Sequence, residues 1–369
     1  MKLVPDLSIT SAPHRARHGW HPGWLFRNGA QGAWYDPSDA GTLFQDAAGA
    51  SPVTAPGQTV GLVLDKSRGL VRGPDIGSPA DAQLVGATEY AAYSAPQDYY
   101  EIARMQSGGG EVHFAVPVDR SVEIDIEVFQ EGGGAGIVLR DGSSVLTSAG
   151  PGHGRTRRIL RCPSGTLRIN LPSFPLAARF RVYAIRTLAG NHATQPVTTR
   201  RPVYDLLGHA HRLHFDGIDD CLRFDLGFAA LDGILMAYAG VIGTSGRIMT
   251  RSTSNTDLWA SASGRWIASF TTDSLDGAGY GFALNTPHVG MYHIANDSAA
   301  LRYNATQGPA VATQGKAAVL NDMALGARAD GVAACEAGLS AIVILQGGLA
   351  PPHEGPTLQY LATSAGVSL

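Results

Sequence analysis

Apolar and polar residues alternate one for one over several parts of this chain. The clearest run is Val122-Glu123-Ile124-Asp125-Ile126-Glu127-Val128, with aliphatic side chains at one parity and carboxylates at the other. A period of two marks a strand with one buried face, so the three carboxylates are expected on a solvated outer face. Strands of the same kind are predicted at 111–116, 136–140, 157–161, 166–171 and 179–188, with Gly, Asp and Pro turns between them. A second series follows at 233–241, 246–251, 258–262, 266–271, 280–284, 289–295, 299–303, 317–327 and 337–345. Short strands at this spacing predict β-sandwiches. Helical spacing is clear only near the end, where Leu358, Leu361, Ala362 and Ala365 fall at i, i+3, i+4 and i+7 and Gly366 supplies a stop.

Between the two series lies Gly190-Asn191-His192-Ala193-Thr194-Gln195, a polar turn-rich piece, followed by the extended step Arg201-Pro202. Two β-like runs come next, Arg212-Leu213-His214-Phe215 and Cys221-Leu222-Arg223-Phe224, with Asp216-Gly217-Ile218-Asp219-Asp220 between them. Asp-Gly between alternating apolar runs predicts a hairpin. Upstream, residues 41–68 read as short strands at 42–44, 52–54 and 60–64, closed by a turn at Asp65-Lys66-Ser67.

The pattern GNHATQ, RPVY and LxFDGxDDxLxF at residues 190–224 resembles virion proteins of tailed bacteriophages and gene transfer agents. Residues 41–67 and the end pieces 339–345 and 361–367 match the same family in the same order. The resemblance implies a concanavalin A-like (laminin G-like) jelly roll made of residues 41–68 and 189–369. It also implies that residues 69–188 are an inserted sandwich like a galactose-binding or carbohydrate module, since LDKS runs almost directly into GNHATQ in simpler members. The fold expected is therefore all-β: two β-sandwich (jelly-roll) domains, one inserted near the N-terminus of the other, and a short C-terminal helix.

Composition narrows the classes. With 46 glycines and only 16% charged residues, the chain suits turn-rich β structure better than a helical fold. A net charge of −3 gives no basic excess for neutralising phosphates, so no nucleic-acid partner is expected. Cys162, Cys221 and Cys335 are far apart and form no CxxC pair, which predicts buried thiols. The opening residues lack the apolar core of a secretory leader, and the run 228–242 is broken by Asp232 and Gly233, so membrane insertion is not expected.

Residues 1–40 concentrate Trp20, Trp24, Phe26, Trp34 and Tyr35 in a stretch without a core of its own. They are read as an N-terminal docking arm for another subunit; the alternative is that they fold back over their own domain. Glycan binding by a sandwich needs aromatic faces beside amide, carboxylate or guanidinium groups. Asn255, Asp257 and Trp259, placed in a polar loop, are the leading candidates, with Trp266 and Tyr280. Tyr292, Tyr303 and the tyrosines Tyr90, Tyr93, Tyr99 and Tyr100 are weaker ones. No metal or other cofactor is expected. Calcium at Asp216, Asp219 and Asp220 is the weaker alternative to a structural role, in which these carboxylates accept backbone N–H groups. No GxSxG, phosphate loop or dinucleotide fingerprint is present, so no catalytic residue is assigned.

The resemblance thus implies a spike, fibre or tail-tip subunit, made in the bacterial cytoplasm and assembled into a particle with other virion proteins. It would act as a homo-oligomer, a trimer being favoured, on host cell-surface polysaccharide. A purely architectural head or tail protein and a capsule polysaccharide-degrading enzyme are the alternatives.

Overall fold

The computed structural model describes residues 20–68, 72–75, 82–86, 90–94, 99–103, 110–116, 121–130, 137–141, 144–149, 155–162, 164–171, 178–188, 190–224, 226, 233–251, 254–260, 265–270, 273–295, 298–308, 310–312, 323–328 and 331–369. In several strands only the backbone is described. Antiparallel ladders dominate, and the α-helix Pro351–Ala365 lies near the C-terminus. The chain is all-β and sandwich-like, as its periodicity predicts.

Among the described residues, two nine-stranded sheets form the larger sandwich. One runs Val203–Leu207, Ala210–Asp216, Glu336–Gln346, Gly233–Ile242, His288–Ala295, Ser298–Tyr303 and Thr306–Gln307, with Gly32–Tyr35 added against Glu336–Gln346 and Val311–Ala312 against Ser298–Tyr303. The other runs Leu43–Phe44, Leu62–Val63, Ala193–Thr194, Leu222–Phe224, Met323–Leu325, Gly246–Arg251, Ser254–Ala260, Arg265–Phe270 and Asp273–Gly281. Leu213, Phe215, Met236 and Ile342 from the first meet Leu43, Leu222, Met249 and Leu258 from the second in one core.

The first sheet is apolar on both faces, which explains why its central strands read as unbroken hydrophobic runs. In Gly233–Ile242, Ile234, Met236 and Tyr238 face the inter-sheet core. Leu235, Ala237 and Ala239 face the opposite way, toward Leu358, Leu361 and Ala362 of the helix. The neighbouring strand keeps this division across a bulge: the register shifts so that Ala239 pairs with Ala341 and Gly240 with Leu339, leaving Ser340 extra. The helix ends as expected, with Gly366 at φ 68° and the Val367 N–H on the Ala362 carbonyl.

Residues 72–188 supply two further sheets. One has Ser144–Ala149, Ile137–Asp141, Thr166–Leu171, Gly110–Ala115 and Ala82–Gly86 in order. The other has Arg155–Arg161, Ser121–Gln130, Ala178–Leu188, Tyr99–Ala103 and Tyr90–Ser94, with Arg72–Asp75 on Ala178–Leu188. Val112, Phe114, Leu139 and Ile169 pack against Ile124, Ile126, Phe180 and Val182 between them. Leu62–Val63 pairs with Ala193–Thr194, so the larger sandwich closes across the point where this smaller one leaves and rejoins it.

One expected connection is different. Asp216–Asp220 does not close a hairpin: Ala210–Asp216 pairs with Glu336–Gln346, whereas Leu222–Phe224 pairs with Met323–Leu325 in the other sheet. The loop crosses the sandwich edge. Leu213 and Phe215 on one side and Leu222 and Phe224 on the other all enter the same core, and that burial outweighs the local turn preference. The hairpin forms one strand earlier, where Leu207 pairs with Ala210 across Gly208-His209.

Candidate functional site

The two motifs that flank residues 69–188 meet at Asp65, which is fully buried. Its carboxylate accepts from the Trp34 N–H at 2.8 Å, the Ser67 N–H at 2.8 Å, the Ser67 hydroxyl at 2.7 Å and the Asn191 N–H at 2.7 Å. The Asp65 N–H donates to His192 Nδ1 at 2.9 Å, and Asn191 Nδ2 donates to the Gly32 carbonyl at 2.7 Å. Burial pushes the Asp65 carboxyl above its ordinary range, against hydrogen bonds that favour the charged form. Burial also pushes His192 down to about 4, so it is neutral near pH 7. This network ties three segments together; its chemistry is structural.

The aromatic-rich start folds back over its own sandwich. Tyr35 is fully buried, edge-on to Phe224 at 5.6 Å, and its hydroxyl donates to the Asn191 carbonyl at 2.5 Å. Trp34 donates from Nε1 to the Tyr360 hydroxyl at 3.0 Å, with the Lys66 ammonium 4.6 Å from its ring centre. Phe26 is buried in the cluster beneath the helix, and half-buried Trp20 packs on it. Phe26, Trp34 and Tyr35 are therefore not available as docking residues: Phe26 is buried beneath the helix, and the strand Gly32–Tyr35, paired along Glu336–Gln346, buries both its faces. Trp24 differs: it is 41% exposed, with the Arg27 guanidinium 3.9 Å over its ring. Residues 1–19 lie outside the described residues.

Asp216, Asp219 and Asp220 come together, each offering an oxygen within 4.8 Å of the others. Asp216 Oδ1 accepts the Ile218 N–H at 2.8 Å, Asp220 Oδ2 accepts the Asp216 N–H at 3.0 Å, and Asp219 Oδ2 faces Arg200 Nε at 3.4 Å. Calcium takes six to eight oxygens; here one oxygen of each carboxylate is already engaged, by backbone donors at Asp216 and Asp220 and by a guanidinium at Asp219, as the structural role expects. Asp220 is pushed up to about 6, first by burial and then by the neighbouring carboxylates.

The leading glycan candidates are not in a loop. Asn255, Asp257 and Trp259 belong to Ser254–Ala260, which is paired on both sides, with Arg247 opposite Trp259 and Ser269 opposite Asp257. Leu258 and Ala260 are buried, and this apolar alternation carries the polar residues into the sheet. Trp266 lies on the next strand, opposite Ala260, and Tyr280 on the strand beyond. The side chains of all five lie outside the described residues, as do those of Tyr90, Tyr93, Tyr99 and Tyr100. Tyr292 is core, 1% exposed, and Tyr303 packs against the core beside His288.

The smaller sandwich carries two polar faces with different characters. On the sheet containing Ser121–Gln130, Glu123 and Asp125 are buried rather than solvated, at 5% and 4% exposure. Arg155 holds both Asp125 oxygens at 2.8 Å, Arg157 adds a contact at 3.2 Å, and Glu127 accepts from the Tyr183 hydroxyl at 2.5 Å. The expected open acidic face is thus covered by arginines at Asp125 and Glu127, while Glu123 stands opposite Ile159, which packs on the larger sandwich. The opposite sheet presents Glu111, His113, Arg168, Asn170 and Arg140. His113 faces Arg168 and Arg168 faces Arg140 across adjacent strands, with Glu111 opposite Asn170 in the next row. Glu111 contacts His113 Nε2 at 2.7 Å, Asn170 Nδ2 at 3.1 Å and Arg168 Nη1 at 3.8 Å. The bonds to His113 and Asn170 hold its carboxyl below the ordinary range. Reading the sequence missed this group; its signal was the outward parity of residues 111–113 and 168–170, polar at each position.

No protein-family model matches the sequence, and no curated relative matches it. Among solved structures the chain is similar to Trypanosoma rangeli sialidase at 8% identity and a TM-score of 0.35, over 85% of this chain and 61% of that one. The same sialidase in complex with sialic acid matches at 8% identity and a TM-score of 0.33, over 78% and 54%. A mutant displaying trans-sialidase activity matches at 8% and 0.34, over 49% and 31%. The chain spans less than two thirds of each of these structures, and similarity at this level carries no argument about its chemistry.

Proposed function

We propose that this chain is a structural, non-catalytic subunit of a tailed-phage or gene-transfer-agent particle that attaches the particle to cell-surface glycans. Its place would be a spike, fibre or tail tip, and several copies, most simply a trimer, would turn weak glycan contacts into useful avidity. The observation that carries this reading is the arrangement of the two sandwiches. The smaller one leaves and rejoins the larger beside Asp65, Ser67, Asn191 and His192, the residues of the LDKS and GNHATQ motifs, and packs on it there through Ile159 and Leu188. Such a joint suits a large scaffold that presents a second unit outward.

Exposed aliphatic side chains favour a second reading. Ile218 and Val332 are 76% and 56% exposed, and Asp219 beside the first approaches Gly331 beside the second. Apolar loop tips of this kind suit contacts between subunits of a purely architectural protein.

The test is to titrate the full-length oligomer against a panel of purified bacterial surface polysaccharides, assaying each mixture for new reducing ends. Saturable binding without cleavage supports the adhesive reading. Absence of binding across the panel favours the architectural one, and new reducing ends would make the chain an enzyme.

A further inference from the structure

Among the described residues, seven large apolar side chains are exposed, and three of them gather at one end of the larger sandwich. Ile218 lies on the loop that crosses the sandwich edge, and Val332 lies on the loop before Glu336–Gln346. Val197, 48% exposed, follows Ala193–Thr194. An ion pair stands between these tips: Asp219 Oδ2 faces Arg200 Nε at 3.4 Å, and each side chain is about a third exposed. The Arg200 N–H donates to the Val197 carbonyl at 3.1 Å. A Cβ added at Gly331 would stand 3.2 Å from Asp219 Cβ and 3.4 Å from Arg200 Cζ. Val197 is thus bonded to Arg200, Ile218 precedes Asp219, and Val332 follows Gly331. One exposed aliphatic side chain is ordinary on a protein surface; three set around one acid–base pair make a patch that suits a protein contact.

The charges say which partner fits. Asp216 and Asp220 each bring a carboxylate oxygen within 4.8 Å of one on Asp219, so acid is concentrated on one side of the patch and Arg200 stands on the other. Burial, and then this crowding, push Asp220 up to about 6. A surface of one sign would call for a partner of the opposite sign. A surface that carries both signs beside apolar tips complements a copy of itself. Turned about a symmetry axis, the guanidinium of one copy comes to the carboxylates of the next while the aliphatic tips meet.

We propose that this end of the larger sandwich is the contact between copies of this chain, with Val197, Ile218 and Val332 packed around the axis and Arg200 of each copy facing Asp219 of its neighbour. The inference rests on the multi-copy subunit proposed above and adds to it the surface that joins the copies.

The experiment is sedimentation velocity of the full chain over a concentration series. The parent should sediment as an oligomer that dissociates on dilution. I218D alters a side chain that is three-quarters exposed in its own subunit. It should raise the dissociation constant by about tenfold or more, the loss expected when an apolar anchor gives way to a charge. R200D and D219R should each associate more weakly than the parent, because each sets like charges against one another across the axis. Mixed together, they should associate more tightly than either does alone, since the acidic copy then faces the basic one. Loss of fold would give no such recovery. Melting temperatures establish that the variants are folded, and I218D carries the test if the charge variants are not. An oligomeric parent whose folded variants associate unchanged overturns this surface and leaves the attachment reading intact. A mixture no tighter than its parts overturns the pairing of Arg200 with Asp219. A parent that stays monomeric at every concentration overturns the surface and the multi-copy subunit together; glycan binding by that monomer would leave the adhesive part of the reading standing.

Discussion

Buried ionisable residues set the acid response of this molecule. His288 is fully buried; its Nδ1 lies 2.9 Å from the Thr286 carbonyl and must donate, so Nε2 accepts from the Tyr238 hydroxyl at 2.9 Å. Burial pushes both His288 and His192 down to about 4. An unfolded chain would protonate them near 6.5. Their neutral burial therefore contributes stability that is complete above pH 6.5 and is lost as pH falls toward 4. Imidazole NMR signals of these two residues should stay neutral from pH 8 to 5; titration near 6.5 would show that they are not buried as described. Asp220 has the opposite sign. Its carboxyl is raised to about 6 from an ordinary 3.8, so its contribution is most favourable below pH 3.8 and is lost as pH rises through 6. Asp220→Asn keeps an oxygen to accept the Asp216 N–H. The variant should gain on the parent, by about 1–3 kcal/mol, between pH 4 and 7.5 in paired urea titrations. No change in the gap between the two proteins over that range would refute the buried carboxylate.

At the scale of elements, the loop from Asp216 to Asp220 is the instructive one. Its composition reads as a hairpin turn, and its aspartates do accept backbone N–H groups as the sequence predicts. What local chemistry does not contain is the partner of each flanking strand. Glu336–Gln346 and Met323–Leu325 lie more than a hundred residues away along the chain and take those positions. Gly217 pins the crossing: its φ is +76°, and an added Cβ would stand 2.9 Å from the Glu336 nitrogen. Gly217→Ala should therefore destabilise the larger sandwich by about 1–3 kcal/mol, read as a lower urea midpoint with an unchanged slope. A variant as stable as the parent would mean that the loop is free to move away from Glu336. Elsewhere elements were legible wherever one face alone is buried. The alternation at Val122–Val128 gave the strand at once, whereas Arg72–Asp75, Tyr90–Ser94 and Ser144–Ala149, with little apolar contrast, escaped notice.

For the whole molecule, the joint predicts that the larger sandwich folds without the smaller. Gly190 lies against Asp65, with an added Cβ 3.1 Å from its carbonyl oxygen, so a short Gly-Ser link can replace residues 69–189. The shortened chain should keep its β-type circular dichroism and melt a few degrees lower, because Leu62 and Leu64 lose the cover of Ile159 and Leu188. Aggregation or loss of β signal would show that the two sandwiches fold as one unit. The sequence by itself determined the class of structure, the strand periods and the terminal helix, because a period of two or of 3.6 needs only neighbours in the chain to be seen. It also marked the residues of the joint, though not their purpose. Tertiary structure alone decided which sheet each strand entered, and that the aromatic start would cover its own core rather than reach outward. It decided, too, that Asp125 would lie under arginines while Arg168 and Arg140 stood opposite each other on the other sheet. Those outcomes depend on which distant strands come to lie next to each other, and no local pattern encodes that.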